Sequence, residues 1–224
     1  VKRAALAAAL VVALAGCGSS SSTGTAGRAT LWVTRDRGGQ VLHSTSVPAG
    51  ESVLQALDRV AKVRTRFGGR YVRGVDGLEE HGNRAWFYYV NGYLADRSAA
   101  DYRLRPGDLA WWDYRSWHDP AQDPVVAGAF PQPFLSGFDG KRRPAVVVSS
   151  SPGALKVARR LHARLLPAGA KAPRGANALV LASGSTTISE LGSSPGSPVR
   201  IRFGGDPKAL LRTWPLRYRY GSGG

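Results

Sequence analysis

Cysteine, methionine and acidic side chains are scarce in this sequence. Its 224 residues hold one Cys, no Met and 15 Asp+Glu against 31 Lys+Arg. A lone thiol excludes a disulfide framework and every zinc site built on several cysteines. His43, His81, His118 and His162 are scattered, with no i, i+4 pair. No apolar run reaches the roughly 18 residues that a membrane-spanning helix needs. The phosphate-loop, dinucleotide and nucleophile-elbow motifs are missing. Serines at 149–151 and 183–185 read as caps and turns, and Glu79 and Glu80 beside His81 fall in a glycine-rich stretch, 74–82, that reads as a solvated turn. These absences point to binding rather than catalysis, with an unrecognised hydrolase as a remote alternative.

What is present begins with an address. Lys2 and Arg3 precede an unbroken small and apolar run from Ala4 to Ala15, and the stretch closes on Leu14, Ala15, Gly16 and Cys17. A basic start, a short apolar segment and small residues at the cut site mark an export signal over residues 1–16. Leu-Ala-Gly-Cys resembles the bacterial lipobox, which implies cleavage before Cys17 and acyl chains on that residue. Each buried methylene contributes about 0.8 kcal/mol, so two or three chains would hold the protein on the outer face of a cell membrane. The rest of segment 17–28 is mainly small and polar and reads as a flexible tether.

Charge then divides the chain. Residues 29–119 carry 13 basic and 11 acidic side chains, whereas residues 120–224 carry 15 and 4. Five prolines from His118 to Pro144 inclusive place a linker over 118–143, separating a unit at 29–117 from a basic unit at 144–220 and a tail at 221–224.

In the first unit, 29–34 and 41–47 read as strands around an Asp36-Arg37-Gly38-Gly39 turn. Val53, Leu54, Leu57, Val60, Ala61 and Arg64 recur with helical spacing. Two aromatic strands follow, in Arg84–Ala95 and Asp101–Arg115, with Asn91-Gly92 and Pro106-Gly107-Asp108 as turn formers. The order predicts an α+β unit whose sheet wraps one helix.

WFYYVNG at 86–92, then Tyr102, Leu104, Gly107 and Asp108 before an aromatic strand, together with SVLQALDRVA at 52–61, resembles the transcobalamin-like C-terminal domain of DUF4430 type. The resemblance covers residues 52–114. It implies a β-grasp fold and a ligand-facing sheet, and it makes a corrinoid the suggested ligand. The helical partner domain that completes the corrinoid pocket in cobalamin-carrying relatives is missing from this sequence.

Period-2 alternation sends Trp86, Tyr88, Trp112 and Tyr114 beneath the sheet and Phe87, Tyr89 and Trp111 above it. The upper rings form an apolar patch that either takes a planar ligand or protein partner, or is covered by the second unit or by Phe130, Phe134 and Phe138 of the linker. Trp117, at the strand exit, would extend either arrangement.

In the second unit, strand, helix, strand, strand, helix, strand at 144–149, 152–166, 178–183, 199–203, 207–212 and 216–220 predicts a ferredoxin-like, split βαβ domain. Arg200 and Arg202 alternate with Val199, Ile201 and Phe203, and Arg217 and Arg219 with Leu216, Tyr218 and Tyr220. The four arginines would share one sheet face, either merely solvated or attracting anionic wall polymer or lipid headgroups, with nucleic acid excluded as a partner for an exported protein. The expected function is therefore non-enzymatic: a lipid-anchored envelope binding protein, or alternatively a structural protein adhering through its basic half.

Overall fold

The computed structural model describes residues 27–117, 123–183, 187–190 and 194–221. The expected signal peptide at 1–16, Cys17 and nearly all of the tether lie outside these residues, as do positions 118–122 at the start of the expected linker.

The expected hairpin is β1 (Arg28–Arg35) and β2 (Gln40–Pro48), paired antiparallel. Its turn places Asp36 and Arg37 at φ 56° and Gly38 at φ 76°. Helix α1 (Val53–Asp58) opens on a capping box: Ser52 Oγ accepts from the Gln55 amide, and the Gln55 side chain accepts from the Ser52 amide. The helix expected to run on to Arg64 stops at Asp58, because Val63, Thr65, Val72 and Val75 carry the chain into strands. These are β3 (Val63–Arg66), β4 (Tyr71–Val75) and β5 (Leu78–Glu79), a small antiparallel sheet where a glycine-rich turn was predicted.

The aromatic strands are β6 (Arg84–Val90), β7 (Tyr93–Leu94) and β8 (Leu109–Ser116). With the hairpin they form one sheet, ordered β2-β1-β8-β6-β7, in which β1 and β8 run parallel at the centre. Asn91 at φ 52° and Gly92 at φ 90° make the predicted turn. Leu31, Val33, Trp86, Tyr88, Trp112 and Tyr114 pack beneath the sheet, as the alternation requires.

The segment expected to be a linker is packed structure. Residues 127–129 form a 3-10 turn, α2 (Gln132–Leu135) follows, and Phe130, Phe134 and Phe138 are buried in the main core. Asn91 Nδ2 donates to the carbonyl of Gly137, and Asn177 Nδ2 donates to that of Pro133, so buried amides tie this segment to both sheets. Pro denies ladders, but it does not prevent burial of the phenylalanines between those prolines.

The second sheet uses β9 (Ala145–Val148), β10 (Arg164–Leu166), β11 (Asn177–Leu181), β12 (Thr187–Glu190) and β13 (Val199–Phe203), with α3 (Ala154–Arg160) crossing from β9 to β10. Its order is β10-β9-β11-β13-β12, parallel except for β12. The ferredoxin-like expectation is corrected here, since a split βαβ sheet is antiparallel. The predicted helix at 152–166 holds two elements: α3 ends at Arg160, and the chain returns as β10 beside β9. Gly153, at φ 90°, precedes the helix in place of the expected Ser151 cap. Residues 207–211 form a 3-10 helix. The last expected strand, 216–220, is a turn that leaves the second sheet altogether.

Candidate functional site

That departing segment decides the fate of the aromatic face. Residues 214–221 cross the upper side of the first sheet as a strap. Tyr220 packs edge-on against both Tyr89 and Trp111, with ring centroids 5.4 Å apart in each case. Tyr218 lies 4.4 Å from the Trp32 ring, and its hydroxyl is 3.0 Å from Ser44 Oγ. The strap also forms backbone hydrogen bonds with the 3-10 turn: the Ala127 and Gly128 amides donate to the carbonyls of Tyr220 and Arg219. It passes so close to the hairpin that a Cβ on Gly38 would stand 1.3 Å from the Tyr218 carbonyl oxygen. Only glycine fits there.

Beneath the strap lies a buried polar chain. Trp111 Nε1 donates to Thr34 Oγ1 at 2.8 Å, and that hydroxyl donates to Asp113 Oδ1 at 2.5 Å. Asp113 also accepts from the amides of Arg37 and Gly38 and, at 3.0 Å, from the Tyr220 hydroxyl. Burial pushes its pKa up, and the Thr34 hydroxyl leads the hydrogen bonds that oppose the rise. Arg115 is buried as well. Its guanidinium sits 4.1 Å over the Phe87 ring and donates to the Tyr89 hydroxyl at 3.2 Å. Burial pushes the Tyr89 phenol up to about 12, against the pull of the Arg115 charge.

Of the two arrangements expected for the upper rings the structure has the covered one, so no open patch remains over Tyr89 and Trp111, and the alternation that placed the rings there is right. Tyr89 and Trp111 are 0% exposed and Phe87 is half-buried, covered by the chain's own tyrosines with Val126 and Ala129. The covering groups come from both the connecting segment and the carboxyl-terminal strap, whereas the three phenylalanines of the former face the main core. Trp117 is 53% exposed at the strand exit. The four arginines do not share a face. Arg200 and Arg202 stay on the second sheet, while Arg217 and Arg219 travel with the strap, and Arg217 stacks 5.2 Å over Trp32.

Beside the strap the structure remains open. A cleft of about 250 Å³ lies between the first sheet, α3 and the 3-10 helix. Trp32, Leu109, Phe130, Val157, Leu161 and Trp214 make its apolar wall, and Arg160, Arg212 and Arg217 stand at its rim. Among the described residues no carboxylate, histidine or cysteine lines it. Trp214 Nε1 is satisfied by the Ala127 carbonyl at 2.8 Å, and Arg160 donates to the carbonyl of Leu211. Trp32 Nε1 differs: it is buried and, among the described residues, has no acceptor. Leaving such a donor unpaired costs about 1 to 3 kcal/mol. Positive charge at this rim also stands unneutralised, for among the described residues no Lys or Arg beyond Arg105 takes part in an ion pair.

Sequence reasoning missed Trp32, although its signal is legible: in a strand, Leu31 and Val33 point inward, so Trp32 must point to the opposite face. Trp214, Arg160 and Arg212 gave no comparable signal, because only the packing of the second unit brings them there.

Residues 50–116 match the family described as Domain of unknown function (DUF4430), which is under a third of the chain. No curated protein matches the chain. Among solved structures it is similar to haptocorrin in complex with Cbi, at 15% identity and TM-score 0.33, over 40% of this chain and 25% of that one. It is similar also to a "putative metal binding protein" from Ruminococcus gnavus ATCC 29149, at 15% identity and TM-score 0.34, over 40% of this chain and 97% of that one. The chain thus spans about a quarter of haptocorrin's length.

Proposed function

We propose that this chain is an exported, acylated binding protein that holds a small organic acid with an apolar body in the cleft beside the strap. The apolar wall of Trp32, Leu109, Phe130 and Trp214, set below three arginines, carries this reading. The wall accepts the apolar body, and a guanidinium takes the carboxylate or phosphate. The lining offers donors and cations but no side chain suited to act as a general base, so it suits capture rather than attack. A cavity of about 250 Å³ is too small for the corrinoid that the family resemblance implies. Small-molecule sites commonly run from about 300 Å³ upward, which places the occupant among small ligands. The sequence Leu-Ala-Gly-Cys at 14–17 supports acylation of Cys17, and Cys17→Ser should move the protein from the membrane fraction to the medium.

Titration with 3-phenylpropionate, followed by tryptophan emission, tests the site. Arg212→Ala should weaken binding by about tenfold or more, the worth of one charge-assisted hydrogen bond. The uncharged amide of the same probe should bind worse by a similar factor. Equal affinity for acid and amide, or an unchanged Kd in Arg212→Ala, would refute the assignment.

A further inference from the structure

A second site stands on the outer face of the second sheet. Val199, Ile201 and Phe203 of β13 are buried toward α3, so alternation places Arg200 and Arg202 on the other side. Parallel pairing sets them beside Ala178 and Val180 of β11. The loop after β10 folds back over the near half of this face, where Ala170 and Ala172 pack on Val146, Val148 and Ala178. The loop is pinned there by the Ala168 amide, which donates to Ser150 Oγ at 3.2 Å. Between the loop and β13 an open groove of about 780 Å³ remains. Val148 and Val180 form its floor, Lys171 stands on one bank, and Arg200 and Arg202 stand on the other.

Three properties define what this groove takes. Among the described residues its lining carries three cations and no carboxylate. Arg200 and Arg202 are two residues apart on one strand, hence about 6.7 Å apart at their origins. That spacing suits successive charges of a linear polymer with one anion per repeat, each met by a guanidinium that can hold a phosphate through two hydrogen bonds. No aromatic ring lines the groove. Single-stranded nucleic acid is usually held by stacking its bases on such rings, and a polymer without bases needs none.

We infer that this groove binds a linear phosphodiester polymer without bases, of the poly(polyol phosphate) class, independently of the cleft. Neither Arg200 nor Arg202 lines that cleft, and an empty cleft leaves the inference intact.

Poly(glycerol phosphate) binding, measured over a range of salt concentrations, is the test. The wild type should lose affinity steeply as salt rises. The Arg200→Ala/Arg202→Ala double variant should bind about tenfold or more weakly, with a log–log salt slope shallower by about 1.4 for two lost phosphate contacts. Lys156→Ala/Arg159→Ala, which removes the same charge from the exposed side of α3, should bind within about threefold of the wild type, since diffuse surface charge is largely screened. Both arginines are on the solvent face, and an unchanged melting temperature verifies that the double variant is folded. Equal losses in the two double variants would overturn the groove in favour of diffuse charge. Oligothymidylate binding as tightly as the polymer would overturn the choice of ligand, and so would monomeric glycerol 3-phosphate doing so.

Discussion

Tyr220→Ala should destabilise the protein by about 3 to 5 kcal/mol, the usual cost of truncating a buried aromatic ring. For a chain of this size that corresponds to a fall of roughly 10 °C in melting temperature. Two losses combine. The ring that fills the space between Tyr89 and Trp111 disappears, and Asp113 loses the phenol at 3.0 Å. Tyr220→Phe separates them, because it keeps the ring and removes only the hydrogen bond; it should cost about 1 to 3 kcal/mol. The alanine variant should also bind the dye ANS, as the face holding Tyr89, Trp111 and Trp32 becomes accessible. A melting temperature within a degree or two of the wild type, with no dye binding, would show that the strap does not hold this face closed.

The second large effect is at Asp113. Among the described residues every group that hydrogen-bonds this carboxylate is a donor: the Thr34 hydroxyl, the amides of Arg37 and Gly38, and the Tyr220 hydroxyl. In Asp113→Asn one acceptor oxygen becomes an amide nitrogen that meets donors head-on, and about 2 to 4 kcal/mol should be lost by urea or thermal unfolding. The pH dependence has a definite sign. Burial raises the folded-state pKa of Asp113 above 3.8, so the folded protein holds this proton more tightly than the unfolded chain does. Its contribution is complete below 3.8 and is lost as pH rises through the raised value. Asp76 and Asp139 run the other way: hydrogen bonds from His43 and from Arg105 hold them low, and their contributions vanish as the solution turns acidic. Subtracting the asparagine variant's stability curve from the wild type's isolates the contribution of Asp113. A difference that grows with pH through that window would contradict the assignment.

Local chemistry was readable before any coordinates. The hairpin turn at Asp36–Gly38, the turn at Asn91-Gly92 and the sidedness of Trp86 to Val90 follow from residue type and alternation alone. What alternation cannot supply is the identity of the cover. Leu216, Tyr218 and Tyr220 alternate as a strand would, yet no strand of the second sheet lies beside them. The rings of Tyr218 and Tyr220 reach a first sheet more than a hundred positions away in sequence, and Tyr220 bonds Asp113 across 107 residues. The close approach at Gly38 was the one local hint, and a hairpin turn explained that glycine equally well. The parallel order of the second sheet was hidden for a similar reason. Its strands are three to five residues long, and such short apolar runs fit several topologies. The cleft inherits this limit, since Trp32, Phe130, Val157 and Trp214 meet only after both sheets have formed.

One buried cluster runs from Leu31 and Trp112 under the first sheet, through Phe130 and Phe134, to Val157 and Ile201 under the second. Neither half can then be excised as a self-sufficient piece. A fragment ending at Ser116 would present bare hydrocarbon where the phenylalanines had sat, and calorimetry of the whole chain should record a single endotherm. Tampering at the strap or at α3 would be felt as one cooperative loss, and the cleft and the groove share a common thermal fate.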